Sequence, residues 1–398
     1  MFYYLQEHYG YLLRPNRFSN VDALRACAVL LVLVHHTATV IPAFRLGAFG
    51  DFCRFCAHGV DLFFVISGFL FGSMLLGELQ STNTIDMKRF YKHRFLRIVP
   101  LYWFTTLVSI PLCFWTGWCG GSCLPLIPKQ LLLDLTFLHT LKGSHTVMQA
   151  WASWSLAIEI WFYLFIPTTL IWLHRLSKNK EKSLAILLGL LALAGFLVRA
   201  GLVVTISPQI TDRLVWLATS RPYVRFDELL IGVLAYVLGR KLHSSVAKPL
   251  LWIGGVVLIA AYQIVTRAPW SPQWSLVINW TVIPTLLSLG FACLLVGSLA
   301  SKFQNPVVTF IANLSYSLYL MHAMLLLVVG TQAHTPSFAA TFVVGSLILA
   351  YVASALVEYP FLKLYKKPAP AKTSAIPRRF NTIELASNLS IVGSQGKP

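Results

Sequence analysis

The sequence predicts an all-α integral membrane protein, about ten transmembrane helices in one bundle with both termini cytoplasmic, and three observations predict it. The first is composition. Over 398 residues the chain is 57% hydrophobic and only 12% charged, with a mean hydropathy of +0.68, where a soluble domain carries about 25% charged residues. The second is a succession of apolar runs near the roughly 20 residues that a helix needs to cross about 30 Å of hydrocarbon. The run 185–206 meets that length outright. The third is the placement of positive charge, which follows from the spans themselves.

Those spans fall at 24–42, 59–77, 98–116, 153–173, 183–206, 220–239, 250–266, 276–299, 306–329 and 338–357. With the N-terminus inside, the cytoplasmic segments hold 22 of the 32 Lys and Arg residues, and the outer side holds 8, counting Arg221 and Arg225 at the outer start of the sixth span. Such a bias is the positive-inside signature. The net charge of +18 is therefore a topology signal, and it argues against a nucleic-acid partner. The first apolar run is long and lacks a small-residue cleavage site, so it reads as a retained signal anchor. Residues 1–362 form a single membrane domain. Residues 363–398 are a basic cytoplasmic tail, rich in Pro, Ala, Ser and Lys, with too little hydrophobicity to pack, so disorder is expected there. In the outer connection 117–152, the stretch Gln130–Leu138 reads as an interfacial amphipathic helix. Cys113, Cys119 and Cys123 face the outer side, where two of them suggest a disulfide. Cys53 and Cys56, followed by His58, resemble half of a metal site without a second half, and they read as packing residues; no metal is expected.

Ionisable residues inside spans are costly, which makes each a functional candidate. Arg25 and His36 are eleven residues apart in the first span. That spacing is close to three turns, so they share one stripe, about 16 Å apart along the axis. His35 points elsewhere and reads as a core histidine bonded to a carbonyl. Depth gives a second argument. His36, Asp61, Ser155, Glu159 and His322 all fall in the outer halves of their spans, and Arg225, Asp227 and Glu228 lie near the outer start of the sixth. At the cytoplasmic side, the basic and aromatic stretch Lys88–Pro100 opens the third span. Most of its charges need no role beyond anchoring at anionic headgroups of membrane lipids. Arg94 and Arg97, three apart on one face, are suited to gripping phosphates.

Five motifs lie in order along the chain: Asn20-x-Asp22-x-Leu24-Arg25 with His36 eleven residues on; Gly59-Val-Asp61-Leu-Phe-Phe-Val-Ile-Ser67-Gly-Phe; Phe90-Tyr-x-x-Arg94-x-x-Arg97-Ile-x-Pro100; Trp154-Ser155-Leu-x-x-Glu159; and Leu314-Ser315-Tyr-x-x-Tyr319-Leu-x-His322. In these residues the chain resembles membrane acyltransferase family 3, the O-antigen and exopolysaccharide acyltransferases, over about residues 17–362. It departs from the family at Lys92-His93, where relatives often carry an arginine before the one matching Arg94. No segment resembles the periplasmic hydrolase-type domain fused to some relatives.

The resemblance implies transfer of an acyl group, often acetyl from acetyl-CoA, to a carbohydrate or lipid-linked glycan in a bacterial inner membrane. It implies a catalytic role for His36 and functional roles for Arg25, Arg94 and Arg97. Acyl-CoA is then a co-substrate, and no bound cofactor is expected. In the mechanism expected from the residues, His36 is a general base and Asp61 fixes its tautomer. Ser155, Tyr319 or a backbone N–H stabilises the oxyanion; Glu159, His322, Arg225 and Glu228 are further site candidates. The competing class is a proton-coupled transporter of a small anionic or sugar substrate, which intramembrane charges suit equally on physical grounds.

Overall fold

The protein is described from a computed structural model covering residues 2–117, 127–142, 150–178, 180–206, 220–267, 272–329 and 335–365. Cys119, Cys123 and the tail from Lys366 lie outside these residues. Every regular element among the described residues is helical, as lipid requires, because a spanning segment must satisfy its own backbone groups. In chain order the α-helices are α1 (Phe2–Leu12), α2 (Ser19–Val40), α3 (Gly47–Phe55), α4 (Gly59–Phe71), α5 (Gly77–Thr82), α6 (Met87–Thr116), α7 (Ile127–Leu135), α8 (His139–Lys142) and α9 (Ala150–Leu176). They continue with α10 (Glu181–Ile206), α11 (Pro222–Gly239), α12 (Ser244–Arg267), α13 (Pro272–Val277), α14 (Ile283–Ser298), α15 (Pro306–Val329), α16 (Phe338–Ala353) and α17 (Tyr359–Lys363). Single π-helical turns join α4 to α5 (Gly72–Leu76), α13 to α14 (Ile278–Val282) and α16 to α17 (Ser354–Glu358).

Among the described residues, nine helical stretches are long and apolar enough to cross a membrane. The remaining expected span is α11, which at 18 residues carries Arg225, Asp227 and Glu228. It sits inside the bundle against α4, α10 and α14, where partners on those helices receive its charges. Close approach is made possible by glycine. A Cβ on Gly68 of α4 would come 1.9 Å from the Leu229 carbonyl oxygen, and one on Gly232 of α11 would come 2.2 Å from that of Val65. Small residues at a crossing are how membrane helices gain contact without a hydrophobic drive between them.

The helix boundaries have local causes. Asp86 caps α6 by accepting from the Arg89 N–H at 3.0 Å, and Gly117, with φ of 73°, stops it. Asn305 accepts from the Val307 and Val308 N–H groups at the start of α15. One segment differs from expectation. The α7 region is tied into the bundle by its backbone: Tyr102, at the middle of α6, donates to the Asp134 carbonyl at 2.9 Å, and Trp161 of α9 donates to the Phe137 carbonyl at 3.0 Å. Gln130 bonds Asp134 at 2.9 Å, and both are buried. The polar edge of α7 thus satisfies itself, which lets the segment wedge between α6 and α9.

Candidate active site

The first expectation to meet the structure is the histidine of α2. His36 keeps an accessible face, while its neighbour on α15, His322, is 1% exposed. His36 Nδ1 lies 3.0 Å from the Val32 carbonyl oxygen and 3.1 Å from His322 Nε2. His322 Nδ1 in turn lies 3.1 Å from the Leu318 carbonyl oxygen. The Tyr319 ring is 5.6 Å from the His322 ring, and the Tyr319 and Ser155 hydroxyls are 2.7 Å apart. A polar chain therefore runs from α2 through α15 to α9. His35 is, as expected, bonded to a carbonyl, with Nδ1 3.0 Å from the Cys53 oxygen.

Asp61 is not the partner of His36. Its carboxylate accepts from Arg225 of α11 and from His58, each at 2.5 Å. A buried carboxylate is drawn to whichever cation can reach it, and Arg225 crosses from the adjacent helix to do so. The network continues inward. Arg225 Nε and Arg199 Nη1 lie 3.0 and 2.9 Å from Glu228 Oε1, and Arg199 of α10 bonds Asp227 at 2.7 Å. Arg199 is 0% exposed. The residues expected in one polar layer thus divide in two: a histidine pair, and an ion network holding Asp61, Arg225 and Glu228.

Next to the histidine pair, at Tyr319, lies a cavity of about 910 Å³. Arg25, Arg94 and Arg97 line it together with Ser155, Glu159 and Tyr319, whereas His36, Asp61, His322, Arg225 and Glu228 do not. Arg25 donates to Ser315 at 3.0 Å and lies 3.9 Å from Asp22. The Arg94 guanidinium sits 4.5 Å from the centre of the Phe71 ring and 5.7 Å from those of Phe90 and Tyr163. Its buried Nε has no hydrogen-bond partner among the described residues. Ser67 donates to Glu159 at 2.5 Å. Arg14, Arg17 and Lys363 add further positive charge to the lining, which also includes Phe63.

The motifs, the cationic cavity and the histidine pair next to it coincide with a family match. The acyltransferase-domain model of family 3 fits residues 18–359. The chain belongs to acyltransferase family 3. Among similar curated proteins is a Staphylococcus aureus (strain MRSA252) protein named, by inference, an O-acetyltransferase. It is 26% identical over 396 residues, covering 90% of this chain and 59% of that protein. The O-acetyltransferase OatA of S. aureus (strain NCTC 8325) is 27% identical over 388 residues, covering 88% of this chain and 57% of its own. The chain thus spans under three fifths of the length of these relatives. No solved structure matches it.

Within this acyltransferase domain, several buried partners escaped the motif reading. Glu358, in the last π turn, is 1% exposed and accepts from Ser317 at 2.5 Å. Its other oxygen has no hydrogen-bond partner among the described residues, and it lies in the field of Arg97 and Arg25. Arg199, Asp227 and His58 complete the ion network. The rule that an ionisable residue within a span is a candidate would have found Arg199, whereas Glu358 lies one residue past the last expected span. Ser317 carries no such signal, since a serine in an apolar helix commonly bonds its own backbone. Among the described residues, no group of three His, Cys, Asp or Glu side chains is placed to hold a metal; Cys53 and Cys56 are buried in packing.

Proposed function

We propose that this chain is a membrane-embedded O-acyltransferase of a bacterial inner membrane, with both termini cytoplasmic. It would move an acyl group, acetyl by preference, from acyl-CoA to a hydroxyl of a cell-surface carbohydrate or lipid-linked glycan. The observation that carries the reading is the cavity: about 910 Å³, lined by Arg25, Arg94 and Arg97 and by the paired hydroxyls of Ser155 and Tyr319, with the histidine pair next to Tyr319. Family membership and the names of the relatives support the reaction class.

In this reading Arg94 and Arg97 hold the donor's phosphates as fixed planar donors, and Arg25 accompanies the pantetheine arm inward. Arg94 is suited to the task because it is braced by three rings and keeps its Nε without a hydrogen-bond partner among the described residues. The acyl end reaches past Phe63 to Ser155 and Tyr319. His36 takes the proton of the acceptor hydroxyl, and the oxygen attacks the thioester carbonyl. As the tetrahedral intermediate collapses, the C–S bond breaks, and the CoA thiolate leaves with the proton that His36 gives back. The paired hydroxyls of Ser155 and Tyr319 stabilise the oxyanion. Glu159 orders the wall through Ser67.

The deciding experiment incubates the purified protein in proteoliposomes with radiolabelled acetyl-CoA and a crude host glycan extract, beside a His36→Ala control. Label in glycan for the parent and its loss in the variant is the expected result. Equal transfer by both would remove His36 as the base. Absence of both transfer and acetyl-CoA binding would return weight to the carrier reading.

A further inference from the structure

We infer that His322 is a positioning residue that locks His36 in its Nδ1–H tautomer, so that the basic atom is His36 Nε2. The inference rests on His36 as the general base and supplies what Asp61, engaged elsewhere, does not.

The assignment starts at the buried end. His322 Nδ1 faces the Leu318 carbonyl oxygen at 3.1 Å. A carbonyl only accepts, so this nitrogen carries the ring proton and His322 Nε2 carries the lone pair. That lone pair faces His36 Nδ1 at 3.1 Å, and the same nitrogen faces the Val32 carbonyl oxygen at 3.0 Å. Two acceptors converge on one nitrogen. His36 Nδ1 must therefore donate, and in the neutral ring His36 Nε2 must hold the lone pair.

His322 does more than duplicate Val32. The Val32 oxygen also receives the backbone bond of its own helix, so its acceptance from the ring is shared. His322 brings a second acceptor from another helix and fixes the ring plane, with centroids 4.9 Å apart and planes inclined at 41°. The balance of the proton step follows. When His36 Nε2 takes the acceptor's proton, the ring becomes a cation whose Nδ1–H still points at a neutral nitrogen, and that bond becomes charge-assisted. No buried carboxylate is needed, so the resting site avoids desolvating an unpaired anion.

The test reads the tautomer directly. The chain has eleven histidines, so the protein is labelled with ¹⁵N-histidine, reconstituted in nanodiscs, and the His36 signals are identified by their loss in His36→Ala. The expected parent spectrum shows His36 with a protonated Nδ1 and a bare Nε2. His322→Leu should give a mixture of tautomers. His322→Gln, whose amide oxygen accepts, should keep the parent form. In label transfer from acetyl-CoA, His322→Leu should lower kcat about 10- to 100-fold, the range typical of residues that orient a functional histidine, with the donor KM unchanged and partial recovery in His322→Gln. An Nε2–H His36 in the parent overturns the inference, as does a tautomer indifferent to His322→Leu. If no protein transfers label while the tautomer pattern holds, the reaction reading fails and the positioning role stands.

Discussion

At the residue scale, the side chain whose environment says most is Arg94. Three aromatic rings surround its guanidinium, the nearest centred 4.5 Å away, and Arg97 stands one helical turn on in α6. A planar, weakly hydrated cation suits such a slot, and an ammonium does not. Arg94→Lys should therefore raise the donor KM about tenfold, roughly 1.4 kcal/mol of binding, even though charge is retained. Acetyl-CoA titrations of parent and variant check this, and an unchanged KM would remove the phosphate role. Arg199 makes the opposite case, a cation that never meets the cavity. Its guanidinium is fully buried between Asp227 and Glu228. Arg199→Met leaves those carboxylates short of a partner and should cost about 3–5 kcal/mol, read as a lower unfolding midpoint in detergent. If the midpoint is unmoved, the network is not what joins α10 to α11.

At the scale of elements, the crossing of α4 and α11 sets where Asp61 and Arg225 meet. Adding a methyl at Gly68 drives it into the Leu229 carbonyl, so the helices must separate. Gly68→Ala should destabilise the fold by about 1–3 kcal/mol, and unfolding of parent and variant in detergent measures it. The three π turns have a shared consequence. They present Ser73 and Met74 to the cavity, the Thr281 carbonyl to Arg199, and Glu358 to Ser317; π turns are frequent where function distorts a helix. The last π turn also anchors α1, where His8 lies against Ser354 at 3.1 Å and between the rings of Tyr351 and Tyr359. Burial lowers the His8 pKa from 6.5 to about 4. A histidine with a depressed folded pKa contributes fully above its unfolded value, and that contribution is lost as pH falls toward the folded one. Acidification from about 6.5 to 4 should thus loosen α1, seen as lower amide-exchange protection factors there. His8→Phe should show no such dependence, and an equal pH response in that variant would sink the assignment.

At the scale of the whole molecule, two polar systems share one apolar bundle. Arg14, Arg17, His93 and Lys363 line the cavity along with Ser155 and Tyr319, and the histidine pair stands next to it, the His322 ring 5.6 Å from that of Tyr319. Wedged α7 covers the middle of α6 and α9. A donor entering one side and an acceptor approaching the other would meet near Ser155 and Tyr319. Ser155→Ala combined with Tyr319→Phe should accordingly lower kcat by about 10²-fold or more, as loss of an oxyanion donor does, with the donor KM little changed. Label transfer from acetyl-CoA measures both constants.

The sequence by itself determined the helical class, the membrane solvent and the family, because hydropathy, charge placement and motif spacing are local. Helical period also placed Arg25 and His36 on one stripe and gave each polar residue a depth. Depth is not adjacency, however. Asp61 and His36 were expected at one level, yet Asp61 belongs to Arg225 and His36 to His322. Which helix stands beside which was decided by glycine crossings and by the need of every buried charge for a partner. Glu159 meeting Ser67, ninety-two residues away, and Glu358 meeting Ser317 are settled the same way. A sequence fixes how deep a residue lies along its helix, and only packing fixes what it faces, since the cost of an unpaired ion in an apolar interior is felt only once the helices have come together.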